Sequence, residues 1–327
     1  MAANIVIVGT GAFATTHADA LLRQTRLRLH GFVGSTPASS LELSSRYGVL
    51  AYSSFDDVLA DDAVDAVIIA TPHASHHRLG MDALRANKHV LIEKPLANST
   101  DECEHLIAAS HASSARAMVG HLMRWAPAHR QARKLIEEGM IGEIVAVDSR
   151  RVIDWNEANR RPWQKSRAAG GGMWLVQGVH VIDQVSFLLG ARAEDAFGLA
   201  ETRFHADQSA DDLGMAQLSF GSIHARLLVA GTRGLAPQVH TELLGTRGQM
   251  RVSHRGELVV DLGQGWQDRL EPVPDHWNGM IDAEIAAFAD CIEGAPAEVG
   301  FDYGRYVVST VEAVLRSAAT GAKVRIQ

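Results

Sequence analysis

Asn4-Ile5-Val6-Ile7-Val8 runs straight into Gly9-Thr10-Gly11-Ala12-Phe13-Ala14 at the start of this chain. A short β-branched run turns through two close glycines into Phe13 to Leu22, so the pattern predicts strand, tight turn and helix. In a dinucleotide-binding βα unit each small residue has a job. Gly9 permits the turn, Gly11 lets backbone approach a pyrophosphate, and Ala14 keeps the helix close to the strand. Thr10, Ala12 and Phe13 complete a turn whose N–H groups and positive dipole end would receive the diphosphate. A GxGxxA alone also describes an ordinary strand-to-helix turn; what surrounds it decides.

Working outward, Arg28 to Gly34 reads as a second strand, followed by a helix that stops near Tyr47-Gly48. Ser54 to Ala60 is a short helix, Asp65 to Ala70 a third strand closed by Thr71-Pro72, and 74 to 87 a helix. His89 to Ile92 is a buried strand ending at Glu93-Lys94-Pro95. Ser99-Thr100-Asp101-Glu102 opens the next helix as a capping box, and Arg116 to Gly120 is a fifth strand. Strands alternating with helices at this rhythm give a doubly wound parallel sheet, whose ligands bind beyond the carboxyl ends of its strands. Thr71-Pro72, Glu93-Lys94-Pro95 and His121 fall at those ends. At the end of the second strand an acid would hold a ribose 2′-hydroxyl and repel a 2′-phosphate; Gly34-Ser35-Thr36 has none, which tilts the coenzyme from NAD toward NADP.

The whole chain, 327 residues with 46% hydrophobic and 21% charged, is long enough for two domains. A net charge of −7 argues against a nucleic-acid surface, and no apolar run spans a bilayer. The first strand begins within four residues, leaving no room for a leader, so a cytoplasmic protein is expected. Cys103 and Cys291 form no ligand or disulfide pattern and are expected in the core or on a helix face; no metal site is expected.

The ordered set Gly9-Thr10-Gly11, Ala70-Thr71-Pro72-His73-Ala74-Ser75-His76, Glu93-Lys94-Pro95 and His121-Leu122-Met123-Arg124-Trp125-Ala126-Pro127 resembles the glucose-fructose oxidoreductase, inositol dehydrogenase and rhizopine-catabolism family. The later Gly170-Gly171-Gly172 and Gly178-Val179-His180-Val181-Ile182-Asp183 also fit. The resemblance implies an N-terminal Rossmann domain, here residues 1–122, followed over 123–327 by an α+β domain carrying substrate and subunit contacts on an open sheet. It also implies NAD(P)-dependent hydride transfer, a cis Glu-Lys-Pro arrangement and a homodimer or homotetramer.

The second half supports this division. Pro127 to Gly139 reads as a helix, Glu143 to Arg151 as a long strand, and 193–205, 212–220, 223–231, 238–244 and 247–260 as strands without helices between them, hence a mainly antiparallel sheet. Helices over 278–292 and 302–319 close the chain. The loop from Ile153 to Ala169 carries Trp155, Arg160, Arg161, Trp163, Lys165 and Arg167; its cations are either a solvated or subunit surface or a clamp for an anionic substrate. Met173, Val176, Gln177 and His180 share a helical face, with Asp183 a turn further on.

Oxidising an alcohol with a nicotinamide needs a base for the hydroxyl proton and a cation near the same oxygen. The resemblance places these roles on His180 and Lys94. Nucleotide contacts are expected from Gly9, Thr10, Gly11, Ala12, Phe13, Ser35, Thr36, Thr71, Pro72, His76, Glu93 and Lys94. Substrate contacts are expected from His121, Arg124, Trp163, Val176, Gln177 and His180. His73 and His77 read as surface residues; His76 and His121 are open between pocket and structural roles, as Arg124 and Trp125 are between substrate and packing. Family members acting on sugars place an aspartate where this chain has Val176, and Val176-Gln177-Gly178 instead resembles members acting on cis-dihydrodiols of aromatic acids. The readings therefore run from a dehydrogenase of a small sugar or polyol, through a dihydrodiol dehydrogenase, to a nucleotide-sensing binding protein.

Overall fold

A computed structural model describes residues 2–273 and 275–327. The chain divides into two compact units, Met1–His121 with Ile281–Arg305, and Leu122–Met280 with Tyr306–Gln327. Residues 281–305, which a single division near 122 would leave in the second unit, pack with the first.

In the first unit, β1 (Ala3–Val8), α1 (Ala12–Leu22), β2 (Leu27–Val33), α2 (Pro37–Tyr47), β3 (Leu50–Ala51), α3 (Phe55–Ala60), β4 (Ala66–Ile69), α4 (His76–Arg85), β5 (His89–Glu93), α5 (Thr100–Ala112) and β6 (Ala117–Gly120) follow in order. The six strands are parallel in the order β3-β2-β1-β4-β5-β6, the arrangement of dinucleotide-binding sheets. Ile5, Val6, Ile7 and the whole of β4 are fully buried, which is why these strands read as unbroken apolar runs. The edge strand β3 has only two residues and was not expected. The helix expected over 74–87 begins as a 3-10 turn at His73–Ser75 before α4. At α5, Ser99 Oγ accepts from Glu102 N at 3.2 Å, while the Glu102 carboxylate turns back to Asn98 N rather than to the cap itself. Cys103 and Cys291 are both buried, as expected.

The second unit begins with a 3-10 turn at Leu122–Trp125, then α6 (Pro127–Glu137) and the eleven-residue β7 (Ile144–Asp154). After the loop come α7 (Val179–Leu189), β8 (Asp195–Glu201), β9 (Leu213–Phe220), β10 (Ile223–Thr232), β11 (Gln238–Gly245), β12 (Gln249–Ser253), β13 (Glu257–Asp261) and β14 (Gln267–Asp268). The chain closes with α8 (His276–Ile292), α9 (Phe301–Thr320) and β15 (Val324–Arg325); the division between units falls inside both helices. The sheet runs β14-β13-β12-β11-β7-β10-β9-β8-β15, antiparallel except where β7 lies parallel to β10. Two strands differ from expectation. The stretch 193–205 is strand only to Glu201, and 247–260 is a hairpin rather than one strand, because Gly256 turns the chain at φ +90°. No helix among the described residues is long and apolar enough to cross a membrane.

Candidate active site

The glycine turn in the first unit is built as a phosphate cradle. Gly9 has φ +117°, and a Cβ there would lie 2.3 Å from Ala70 O, so β4 leaves no room for any other residue. Gly11 is the N-cap of α1 without a side-chain cap, and a Cβ on it would meet nothing within 4 Å. The first N–H groups of α1 are thus left for an anion in open space, and the turn fits a nucleotide diphosphate. Thr10 and Phe13 are half-exposed and Ala12 is exposed. At the end of β2, Ser35 and Thr36 are exposed, but Thr36 Oγ1 caps α2 by accepting from Ser39 N at 3.2 Å.

Around Lys94 the side chains that neighbour it in sequence turn inward. The Lys94–Pro95 bond is cis, and Lys94 itself is half-buried at the carboxyl end of β5. His76 is fully buried, with Nδ1 2.8 Å from Pro95 O and Nε2 3.0 Å from Thr71 O. It ties the turn after β4 to the turn after β5, the structural one of the two roles left open for it. Burial holds its pKa below the ordinary histidine value. Thr71 Oγ1 pairs with Ser75 Oγ at 2.7 Å, and Pro72 is exposed. Glu93 is also spent on the protein, its carboxylate 2.8 Å from His17 Nε2. Glu284 joins them, so that His17, Glu93 and Glu284, all buried, bring ligand-type atoms within 4.8 Å of one another. This grouping was not expected; three distant segments bring it together. His73 is buried rather than on the surface, its ring 5.7 Å from that of His76, whereas His77 is half-buried. His121 is buried and meets the Tyr303 ring edge-on at 6.0 Å.

In the second unit the triple glycine has an exacting geometry. Gly172 has φ +105°, and a Cβ would stand 2.5 Å from Asp211 Oδ1. Asp211 accepts from Trp174 N at 2.9 Å and from Arg167, and burial raises its pKa against those contacts. The helix expected from Met173 begins instead as a π-helical turn, Trp174–Gly178, before α7. Trp174 is fully buried and stacks so closely that a Cβ on Gly178 would be 2.4 Å from its ring, which the wider turn accommodates. The shared face is altered accordingly: Met173 and Val176 are core, Gln177 is half-exposed and His180 is 5% exposed. Val176 is as deeply buried as His180, one turn further along the chain.

Two further groups of candidates are engaged with the protein itself. Arg124 is buried and its guanidinium is committed to Asp183, with Nε 3.1 Å from Oδ1, and it lies over the Phe187 ring. The loop cations are likewise taken up. The Arg160 side chain is fully buried and pairs with Glu157 and Asp207, Lys165 reaches the same two acids, and Arg167 pairs with Asp211. These three cations therefore sit in ion pairs within the chain, with Glu157 of the same loop and with Asp207 and Asp211 of a later segment. Trp163 is half-buried on a 3-10 turn, Pro162–Lys165.

A residue missed in sequence is Arg151. Alternation along β7 puts it on the covered face with Val147 and Ser149, and it is 7% exposed. Its Nε donates to Gln177 Oε1. Nearby, burial lowers the His129 pKa to about 4, against the pull of Asp183 and with the push of Arg151. Because the folded value lies below the unfolded one, the unfolded chain binds the proton first, and stability falls as pH drops from about 6.5 toward 4, by about 3 kcal/mol for this group. A His129→Gln variant should therefore show a shallower acid limb in thermal unfolding between those values; an unchanged limb would show that another group carries it.

Comparison with known proteins resolves the family. Residues 3–121 match the profile described as an oxidoreductase family, NAD-binding Rossmann fold, and residues 133–326 match its C-terminal alpha/beta domain. The chain belongs to the glucose-fructose oxidoreductase, inositol dehydrogenase and rhizopine-catabolism family of oxidoreductases. It is 28% identical to a 1,5-anhydro-D-fructose reductase from Ensifer adhaerens, over 91% of this chain and 92% of that one. It is 31% identical to a 2,7-anhydro-N-acetylneuraminate hydratase from Escherichia coli over 66% of this chain, a match spanning 59% of that protein's length. Among solved structures, the aldose-aldose oxidoreductase of Caulobacter crescentus aligns with TM-score 0.90 at 25% identity, covering 99% and 100% of the two chains. This oxidoreductase thus shares its fold along its whole length with sugar-converting enzymes.

Proposed function

We propose that this oxidoreductase moves a hydride between NAD(P) and a secondary alcohol or ketone of a small sugar or polyol, with Lys94 and His180 as its catalytic pair. The observation that carries the reading is Lys94, half-buried at the carboxyl end of β5, where a doubly wound sheet binds its ligand. The nicotinamide, when bound, supplies a hydride acceptor or donor at its ring carbon. Everything else is work for the protein. Lys94 places positive charge by the reacting oxygen, stabilising an alkoxide in one direction and polarising a carbonyl in the other. His180 takes the hydroxyl proton in oxidation and returns it in reduction. His76 and Glu93 act at one remove, holding the turns on either side of the lysine.

For the coenzyme, the lack of an acid at Gly34-Ser35-Thr36 favours NADP, since nothing there repels a 2′-phosphate. The test is nicotinamide reduction with NAD and with NADP against a panel of polyols, aldoses and aromatic cis-dihydrodiols. Turnover of aldoses or polyols, faster with NADP, is expected. Turnover of dihydrodiols alone would replace the sugar reading, and a preference for NAD would remove the coenzyme assignment.

A further inference from the structure

A guanidinium in the covered face of a sheet conflicts with the apolar pattern around it, and such conflicts in folded proteins concentrate where ligands bind. Arg151 is that case. Its Nη1 is buried and meets no hydrogen-bond acceptor among the described residues. Its one resolved side-chain bond is to the neutral amide of Gln177, and the charge felt most strongly from outside is that of another cation, Arg255, which is exposed. Burial and Arg255 bring its pKa down to about 10, so it remains charged at neutral pH. Asp183, which acts on neighbouring His129, is already paired with Arg124.

Two imidazoles add neutral ring nitrogens rather than charge. His129 and His254 are both held neutral by burial, with Arg151 pushing each further down. The Nδ1 atoms of both are buried without a protein partner among the described residues. His129 is buried on α6, whereas His254 is half-buried, next in sequence to exposed Arg255, so the cluster is not sealed on that side. The cluster therefore offers one uncompensated positive charge and neutral ring nitrogens. One unit of negative charge matches it, and a planar carboxylate matches the guanidinium fork. A phosphate, nearly dianionic at neutral pH, would leave charge unbalanced.

We infer that Arg151, with His129 and His254 beside it, is a carboxylate subsite, and that the substrate is a small polyhydroxylated acid rather than a neutral sugar. The subsite reaches the chemistry through Gln177, which lies one helical turn before His180 in sequence and accepts from Arg151 Nε. The inference rests on the dehydrogenase reading above and narrows it.

The experiment compares matched pairs, an aldose and the uronic acid of the same sugar, in wild type, Arg151→Met and Arg151→Lys. A charged hydrogen-bonded contact of this kind is expected to give the acid a kcat/KM about ten- to a hundredfold above its neutral partner. Arg151→Met should bring that ratio close to one, chiefly through KM for the acid, and Arg151→Lys should keep part of it. Equal use of acid and neutral sugar by the wild type, or a ratio that survives in Arg151→Met, overturns the subsite and leaves the dehydrogenase reading standing. If neither sugar is turned over, that reading fails, and the subsite is decided by thermal shift with sodium glucuronate or gluconate against sodium chloride and phosphate at equal ionic strength. An upshift with the organic acids alone, lost in Arg151→Met, supports it. No upshift, or an equal one with the inorganic anions, overturns it, and nucleotide binding by Arg151→Met serves as the check that the variant is folded.

Discussion

Lys94→Ala should lower kcat by about a thousandfold or more while leaving coenzyme affinity largely intact, because it removes charge stabilisation at the reacting oxygen and not at the diphosphate. The cradle for the diphosphate is made by Gly9, Gly11 and the N-terminus of α1, none of which involves the lysine side chain. The turn that presents Lys94 is fixed independently of its ammonium group, by His76 on Pro95 O and by the His17–Glu93 contact. Truncation should therefore leave the local fold in place. Steady-state kcat, with coenzyme Kd from fluorescence titration, separates the two effects. Activity within tenfold of wild type would remove Lys94 from the chemistry, whereas loss of coenzyme binding in parallel would make it a nucleotide ligand first.

The first unit was open to sequence reading because its signals are local. Parallel strands covered on both faces leave apolar runs such as Ile5-Val6-Ile7, and turns that demand glycine or proline punctuate them. Gly48 ends its helix at positive φ, as its position suggested. What stayed hidden depends on pairing between distant segments. Arg160 and Arg167 pair with Asp207 and Asp211, beyond an intervening helix and strand, and Arg160 also with Glu157 of its own loop, so the sequence left open whether these cations were taken up. The His17, Glu93 and Glu284 group draws on three separate stretches. The π-helical turn answers to the bulk of Trp174 against Gly178, which no helical periodicity reveals. Arg151 was legible in principle, since alternation along β7 places it with Val147 and Ser149, but a charge inside a strand is a signal only once the strand's covered face is known.

Asp183→Leu should destabilise the second unit by about 3–5 kcal/mol, the cost of taking the carboxylate away from a buried guanidinium. Asp183 is fully buried and Arg124 is 5% exposed, so neither side chain can turn to water for compensation. The attraction between them offsets desolvation in the pair, and removing either one takes that attraction from the other. A double variant, Arg124→Leu with Asp183→Leu, should therefore recover much of the loss, since it removes both charges and leaves apolar side chains of roughly similar bulk beside Phe187, over whose ring the guanidinium now lies. Urea unfolding of the wild type, the two single variants and the double variant yields the coupling energy directly. If the two losses simply add, Arg124 and Asp183 are stabilised by other neighbours, and Arg124 returns to consideration as a substrate residue. A strong positive coupling instead fixes the pair as structural, because a guanidinium that depends on Asp183 for its burial is not free to exchange it for a ligand.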